Sequence, residues 1–322
     1  MRVEGLVALA FTVVIVWANV PLEAQATTSQ AASANLSFTP DWQTAAGGHM
    51  SFEVASIRPA GPGARFRTNI NLNTEDEPIQ IGGRFSATAS LGSYIALAYK
   101  FLPTGPQSEA TFAHLPNWPT ADMFTIEAKA PMDNPSKDQM RLMMQSLLAE
   151  RFKLAVHFET HDTPVMALVL VKPGKLGSRL RPHAQGPPCD AKIPPVDYNS
   201  AEMPDVWTQI CGAFQVIDWT NNTVILGSRN TTMEKLADFF PALVQLDDPV
   251  IDQTGLQGKY DYELNFTPPW RMPKEQAAAM QLDITGPTFF EALKDQLGLK
   301  LRPTRAPFRT LVIDHIEPPS PN

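Results

Sequence analysis

Two stretches of the chain, LLAERFKLAVHFETHDTPVMALVLV at 147–171 and ALKDQLGLKLRPTRAPFRTLVI at 292–313, carry the same pattern. Aligning Leu148 with Leu293 sets Phe152 on Leu297, Leu154 on Leu299 and Val156 on Leu301. With two residues taken out of the first loop, Pro164 falls on Pro307 and Leu168 on Leu311. Each stretch reads as a helix end, a strand, a turn at proline and a second strand. A lone helix–strand–strand unit leaves its apolar face uncovered, so a chain that spells the unit twice must pack its units in pairs.

Apolar spacing marks four helices. Their stripes are Leu91, Tyr94, Ile95, Ala98; then Met140, Met143, Met144, Leu147, Leu148; then Met233, Leu236, Ala237, Phe240; and last Phe289, Phe290, Leu293, Leu297. Steps of three and four residues put each set on one face. Three of these helices open with a capping pattern: Ser136 with Gln139, Thr231 with Glu234, and Thr288 with Glu291. There the hydroxyl accepts from an unpaired helix N–H while the acid or amide reaches back. Strands are expected in SFEVASIRP, where Phe52, Val54 and Ser56 share a face, and in GGRFSATAS, MFTIEAKAP and PVIDQTGL. In KYDYELNF the alternation turns Tyr260, Tyr262, Leu264 and Phe266 inward and leaves Asp261, Glu263 and Asn265 in water.

The expected fold is therefore α+β: repeated helix–strand–strand units forming two small, mainly antiparallel sheets, each backed by helices. With 322 residues, 43% of them hydrophobic, the chain is long enough for two such cores. The expected division is a first domain at 51–185, a Pro- and Cys-containing linker at 186–211 and a second domain at 212–322.

The first residues, MRVEGLVALAFTVVIVWANVPLEAQATT, place Arg2 before an apolar run from Leu6 to Val20, followed by Ala24-Gln25-Ala26. That order describes a secretory signal peptide at 1–26, cut after Ala26. The alternative is an uncleaved anchor, but the apolar run falls short of the ~20 residues a bilayer span needs. A small, polar, aperiodic stretch follows at 27–50 and reads as a flexible lead. No later apolar stretch approaches spanning length, so the expectation is an exported protein, periplasmic or extracellular, without a stable membrane span. Export gives the only two cysteines, Cys189 and Cys211, a simple reading as a disulfide. It closes a loop of about 20 residues, stabilising by ~3 kcal/mol in the chain-entropy treatment; a catalytic thiol is the competing reading. A net charge of −7 with no block of five or more like charges speaks against a nucleic-acid partner.

Catalytic signatures are absent: no nucleophile elbow, no phosphate-cradling loop, no H-E-x-x-H. His157, Glu159 and His161 in HFETH suggest a metal site, but on a strand they share an exposed face and read as solvated. Asp252 precedes a turn through Gly255 and Gly258, where a short acid bonds backbone. Asp314 and His315 are neighbours on a strand and point to opposite faces, so they form no dyad. Trp118 in PNWPT and Trp270 in TPPWRMP read as loop anchors or as the aromatic lining of a ligand groove. No cofactor is expected.

Six strings in order, FEVASIRP, GGRFSATASLGSYIALAYKF, FTIEAKAP, the stretch from Gln139 to Leu176, VIDQTGLQGKYDYELNF and the stretch from Ala292 to Asn322, resemble a large uncharacterised family. It comprises exported proteins of Acidobacteria and other soil bacteria that contain a domain of unknown function. The chain departs from that family at His114-Leu115-Pro116-Asn117-Trp118, where relatives show a Gly-Gly-Pro-like step. The resemblance carries over no catalytic or binding residue. Fusion of some relatives to a membrane peptidase of the antibiotic-sensor type implies an extracytoplasmic sensing or binding role with an envelope protein or membrane sensor as partner. The helix, Gly-Leu, strand, strand order also resembles the short N-terminal domains of secretins and TonB-dependent receptors, which bind proteins. The leading expectation is a non-enzymatic extracytoplasmic binding module. The alternatives are an exported hydrolase with an inter-domain active site and a small-ligand sensor.

Overall fold

The computed structural model describes residues 39–190, 211–218, 223–268 and 286–319, all within one compact unit, Ser37–Asn322. The proposed signal peptide and Trp270 lie outside the described residues. The polar lead is ordered where it is described: α1 (Asp41–Ala45) is a single helical turn, and His49 and Met50 meet Ser146.

The first sheet holds β1 (Val54–Pro59), β2 (Arg67–Thr68), β3 (Arg84–Ser90) and β4 (Met123–Lys129), antiparallel throughout, in the order β1-β4-β3-β2. Ser90 ends β3 and caps α2 (Leu91–Tyr99), its hydroxyl accepting the Ser93 N–H. After the short helices α3 (Pro106–Phe112) and α4 (Trp118–Ala121), β4 leads to α5 (Lys137–Arg151). The capping box of Ser136 and Gln139 is complete there. One face of the sheet is covered by the stripes of α2 and α5, with Tyr94, Ile95, Met140, Met143 and Leu148 fully buried. Each such side chain contributes roughly 1.5–3 kcal/mol by leaving water. In β1 Val54 is 64% exposed, and Ile57 is the buried residue.

The second sheet holds β6 (Leu180–Pro182), β7 (Gln215–Asp218), β8 (Val224–Thr231) and β10 (Tyr260–Phe266) in the order β6-β10-β8-β7, again antiparallel. Its strand order has the same connectivity as the first. In both, the third strand in sequence runs into a capped helix, here α6 (Met233–Val244), and the fourth is followed by a second one, here α7 (Phe289–Leu297). The box of Thr288 and Glu291 forms as expected. The expected box at Thr231 does not: β8 extends through Thr231, and Thr232 caps α6 by accepting the Lys235 N–H. Phe240, Phe266 and Phe289 meet edge to face at the centre of this second core, with ring centroids 4.9 and 5.4 Å apart. Phe290 is the one stripe residue left outside, 54% exposed.

A third sheet replaces the expected turns. Both doubled stretches are single strands, β5 (Ala155–Leu170) and β11 (Leu299–His315), which pair antiparallel along almost their whole length. The short β9 (Val250–Asp252) adds in parallel beside Met166–Leu168. Pro164, Pro303 and Pro307 do not break these strands. The two β11 prolines and Arg305, opposite Pro164, share one parity of the ladder. Met166, of the same parity on β5, sends its N–H outward to Pro249 O. A proline at such positions loses only an outward donor, which strand edges tolerate.

The paired strands span both cores. Leu154, Val156, Phe158, Leu311, Ile313 and Ile316 pack on the first core, and Met166, Leu168, Leu170, Leu299 and Leu301 on the second. The ends of β5 and β11 thus each reach both cores. Entry to each ribbon strand uses the same device, a residue in the left-handed region just after the helix: Lys153 (φ 53°) after α5 and Gly298 (φ 71°) after α7.

Candidate functional site

Two places gather unusual side chains. The first is a cleft at the end of the first sheet, about 490 Å³ in volume. One wall is the loop Pro59–Ala64, held to β4 by the Ala60 N–H donating to Met123 O at 2.8 Å. The other walls are Trp118, Met123, Phe124 and the Pro318–Pro319 segment, and among the described residues Asp122 is the only ionisable one lining it. Trp118 opens α4, half-buried, with its ring edge-on to Phe124 at 6.4 Å. Clefts of this size and apolar character are the usual seats of small ligands and peptide side chains.

The second is a charged junction between the two halves, built on the loop between β2 and β3. Asp76 accepts from Lys100 on α2 and Arg141 on α5, each at 2.8 Å, and from Lys235 on α6. Arg141, fully buried, also donates to Asn73 O and Glu75 O at 3.0 and 2.7 Å. Lys137 donates to both oxygens of Glu77 at 2.8 and 2.9 Å. Burial dominates the electrostatics of two members. It pushes the Glu75 carboxyl up to about 7, with Glu77 adding to the rise while the Phe214 N–H and two lysines oppose it. It pulls the Lys137 ammonium down to about 8 against the pull of Glu77. Burial also works against charge at Asp76, but Lys100 and Lys235 outweigh it and hold that carboxyl well below the usual range. Shifted groups of this kind mark active sites as well as ion-pair networks. Here the adjoining cavity, lined by Thr74, Lys100 and Phe308 among others, measures about 30 Å³, room for about one water molecule. The junction is a clasp joining α2, α5 and α6.

The remaining sequence candidates fall elsewhere. Cys189 and Cys211 stand at disulfide distance, their sulfurs 2.13 Å and their Cα atoms 5.6 Å apart. His157, Glu159 and His161 share one face of the ribbon and form a chain: Asp314 to His157 Nδ1 at 2.8 Å, His157 Nε2 to Glu159 at 2.9 Å, and Glu159 to His161 at 2.7 Å. Their ligand atoms run in a line and do not converge on one point. Asp252 accepts the Thr254 N–H at 2.8 Å, as a turn acid should, and Gly255 and Gly258 both take positive φ. Asp261 and Glu263, expected in water, are instead buried, at 2% and 3% exposure. The reason is that β10 is a central strand, and the segment through β6 lays Arg179, Arg181 and His183 over its second face.

Sequence reasoning missed the charged junction. Its signal was present, since Lys137 and Arg141 interrupt the apolar stripe of α5 and the Asn-rich loop carries Glu75, Asp76 and Glu77 in a row. Comparison with known proteins adds one result. Residues 92–316 match the family described as a protein of unknown function, DUF3738. The chain belongs to that family. The match takes in β4, the second sheet and the whole ribbon, while β1 to β3 and the loop carrying Glu75, Asp76 and Glu77 lie before it. No curated protein and no solved structure matches the chain.

Proposed function

We propose that the chain is an exported, non-enzymatic binding module whose ligand seat is the Trp118 cleft. The observation that carries this reading is the cleft itself: about 490 Å³, walled by a tryptophan, proline- and glycine-rich loops, Met123 and Phe124, and offering one carboxylate. An aromatic plate set among prolines suits an extended apolar or proline-containing segment of an envelope protein or membrane sensor. Export is supported by the signal-like first 26 residues and is compatible with the cysteine pair at disulfide distance. Among the described residues no helix is long and apolar enough to cross a membrane. The matching strand orders of the two sheets support reading the halves as two copies of one unit, with the ligand seat in a part where they differ.

Gly61 provides the test, because a side chain added there meets no atom within 4 Å and its backbone is not strained. Calorimetric titration of a panel of proline-rich and aliphatic peptides into the chain from residue 27 should find binding that Gly61→Leu and Trp118→Ala abolish. Gly61→Leu should leave the melting temperature unchanged. A peptide that binds both variants as tightly as the parent would refute the assignment of the seat.

A further inference from the structure

His183 sits in a 3-10 turn after β6, and its ring is fixed at both ends. Nδ1 lies 2.6 Å from Asp261 Oδ1, and that carboxylate is buried and also accepts the Asn230 N–H at 3.0 Å. An acceptor on this side requires the proton at Nδ1, so the lone pair of Nε2 faces outward. It meets Cys189 Sγ at 3.5 Å. The three donor atoms, His183 Nε2 and the sulfurs of Cys189 and Cys211, all lie within 4.8 Å of one another.

The cysteines are also held independently of the bond between them. Buried Arg229 donates to Pro187 O and Pro188 O at 2.7 and 2.8 Å, fixing the turn that presents Cys189. The carbonyl of the same Arg229 accepts the Gly212 N–H at 2.7 Å, fixing the residue after Cys211. Gly186 allows that turn to lie against the carboxylate, since a Cβ there would collide with Asp261 Oδ2. Opening the disulfide therefore leaves both sulfurs beside the imidazole.

We propose that the reduced form of this cluster is a binding site for a divalent cation of the zinc class. Cys189, Cys211 and His183 are its three protein ligands, and Asp261 is the carboxylate that orients the histidine. Two thiolates and an imidazole are the donor set such an ion takes, with water in the fourth place. A carboxylate on the far nitrogen of a ligating histidine is the usual outer partner. The chemistry balances: a dithiol supplies two electrons and two protons, is itself oxidised to a disulfide, and leaves two thiols. The cation then binds two thiolates and releases the two thiol protons. The cluster is thus a structural disulfide when oxidised and a metal site when reduced.

The test uses the whole chain from residue 27, oxidised and dithiol-reduced, with the reductant removed under anaerobic conditions and Co²⁺ or Zn²⁺ added alone. The reduced protein should take one equivalent of Co²⁺ with thiolate-to-metal charge transfer and tetrahedral d–d bands. The oxidised protein should show neither. Zinc competition should give at least about tenfold weaker binding for His183→Ala, and about 10–100-fold weaker binding for Asp261→Asn. Far-UV circular dichroism checks folding; if His183→Ala is unfolded, His183→Gln keeps a donor toward Asp261 and replaces it. Cobalt bound without charge transfer, equal binding by the oxidised protein, or affinity unaffected by the His183 substitution would each overturn the proposal.

Discussion

Replacing Glu75 by glutamine removes a charge that the fold buries at a cost, and the size of the effect follows from its surroundings. The side chain is 4% exposed, and burial raises its carboxyl from 4.5 to about 7. The folded protein therefore holds this proton through a range where the unfolded chain has lost it. Stability from the group is fully present below the unfolded value and is lost as pH rises through the folded value. The gap corresponds to about 3 kcal/mol, at ~1.4 kcal/mol for each pH unit. Asp76, held low, changes stability only in more acid solution; Lys137, at about 8, enters at the alkaline end, and Asp238, raised to about 7, titrates alike in parent and variant and cancels in their difference. Urea unfolding followed by far-UV circular dichroism at about pH 5 and about pH 8 measures the difference. Glu75→Gln should gain about 3 kcal/mol relative to the parent between those values, being close to it in acid and more stable in alkali. A difference that does not change with pH would show that Glu75 is charged in the fold, and the account of the junction would be wrong.

Other consequences are more local. Thr288→Ala removes a cap that satisfies a helix N–H and should cost about 1 kcal/mol in urea unfolding, while the exposed Phe290→Ala should cost far less. Arg141→Ala leaves Asn73 O and Glu75 O without their buried donor, while Asp76 and Asp138 keep Lys100, and should destabilise by about 1–3 kcal/mol in the same assay. The His157 imidazole, flanked first by Glu159 and then by Asp314, should titrate above an ordinary histidine by NMR, and Asp314→Asn should bring it down.

The helices were legible because one-sided burial writes a period into sequence, and α2, α5, α6 and α7 all lie where the stripes put them. The strands were legible as extended chain but not in their partners. Alternation in KYDYELNF suggested a half-wet strand, yet β10 has neighbours on both sides and a cover of Arg179, Arg181 and His183. That cover comes from a segment about 80 residues away, whose position local period cannot encode. The prolines misled for a related reason. Pro164 and Pro307 looked like turns, whereas their missing donors point away from the partner strand, and pairing of the doubled stretches with each other is a long-range fact. Of the candidate sites, Trp118 was named for its place between prolines, and the cleft around it needed β1, β4 and the chain end to be brought together. The donor set at His183 was out of reach, because nothing local to Cys189 announces Asp261.

The most direct test of the central claim is a chemical-shift map of the isotope-labelled chain from residue 27, titrated with the tightest-binding proline-rich peptide. Shifts are expected only in the Pro59–Ala64 loop, Trp118 to Phe124 and the Pro318–Pro319 segment. Shifts along the edges of β5 and β11, or at the junction around Asp76, would place the ligand elsewhere and contradict that claim.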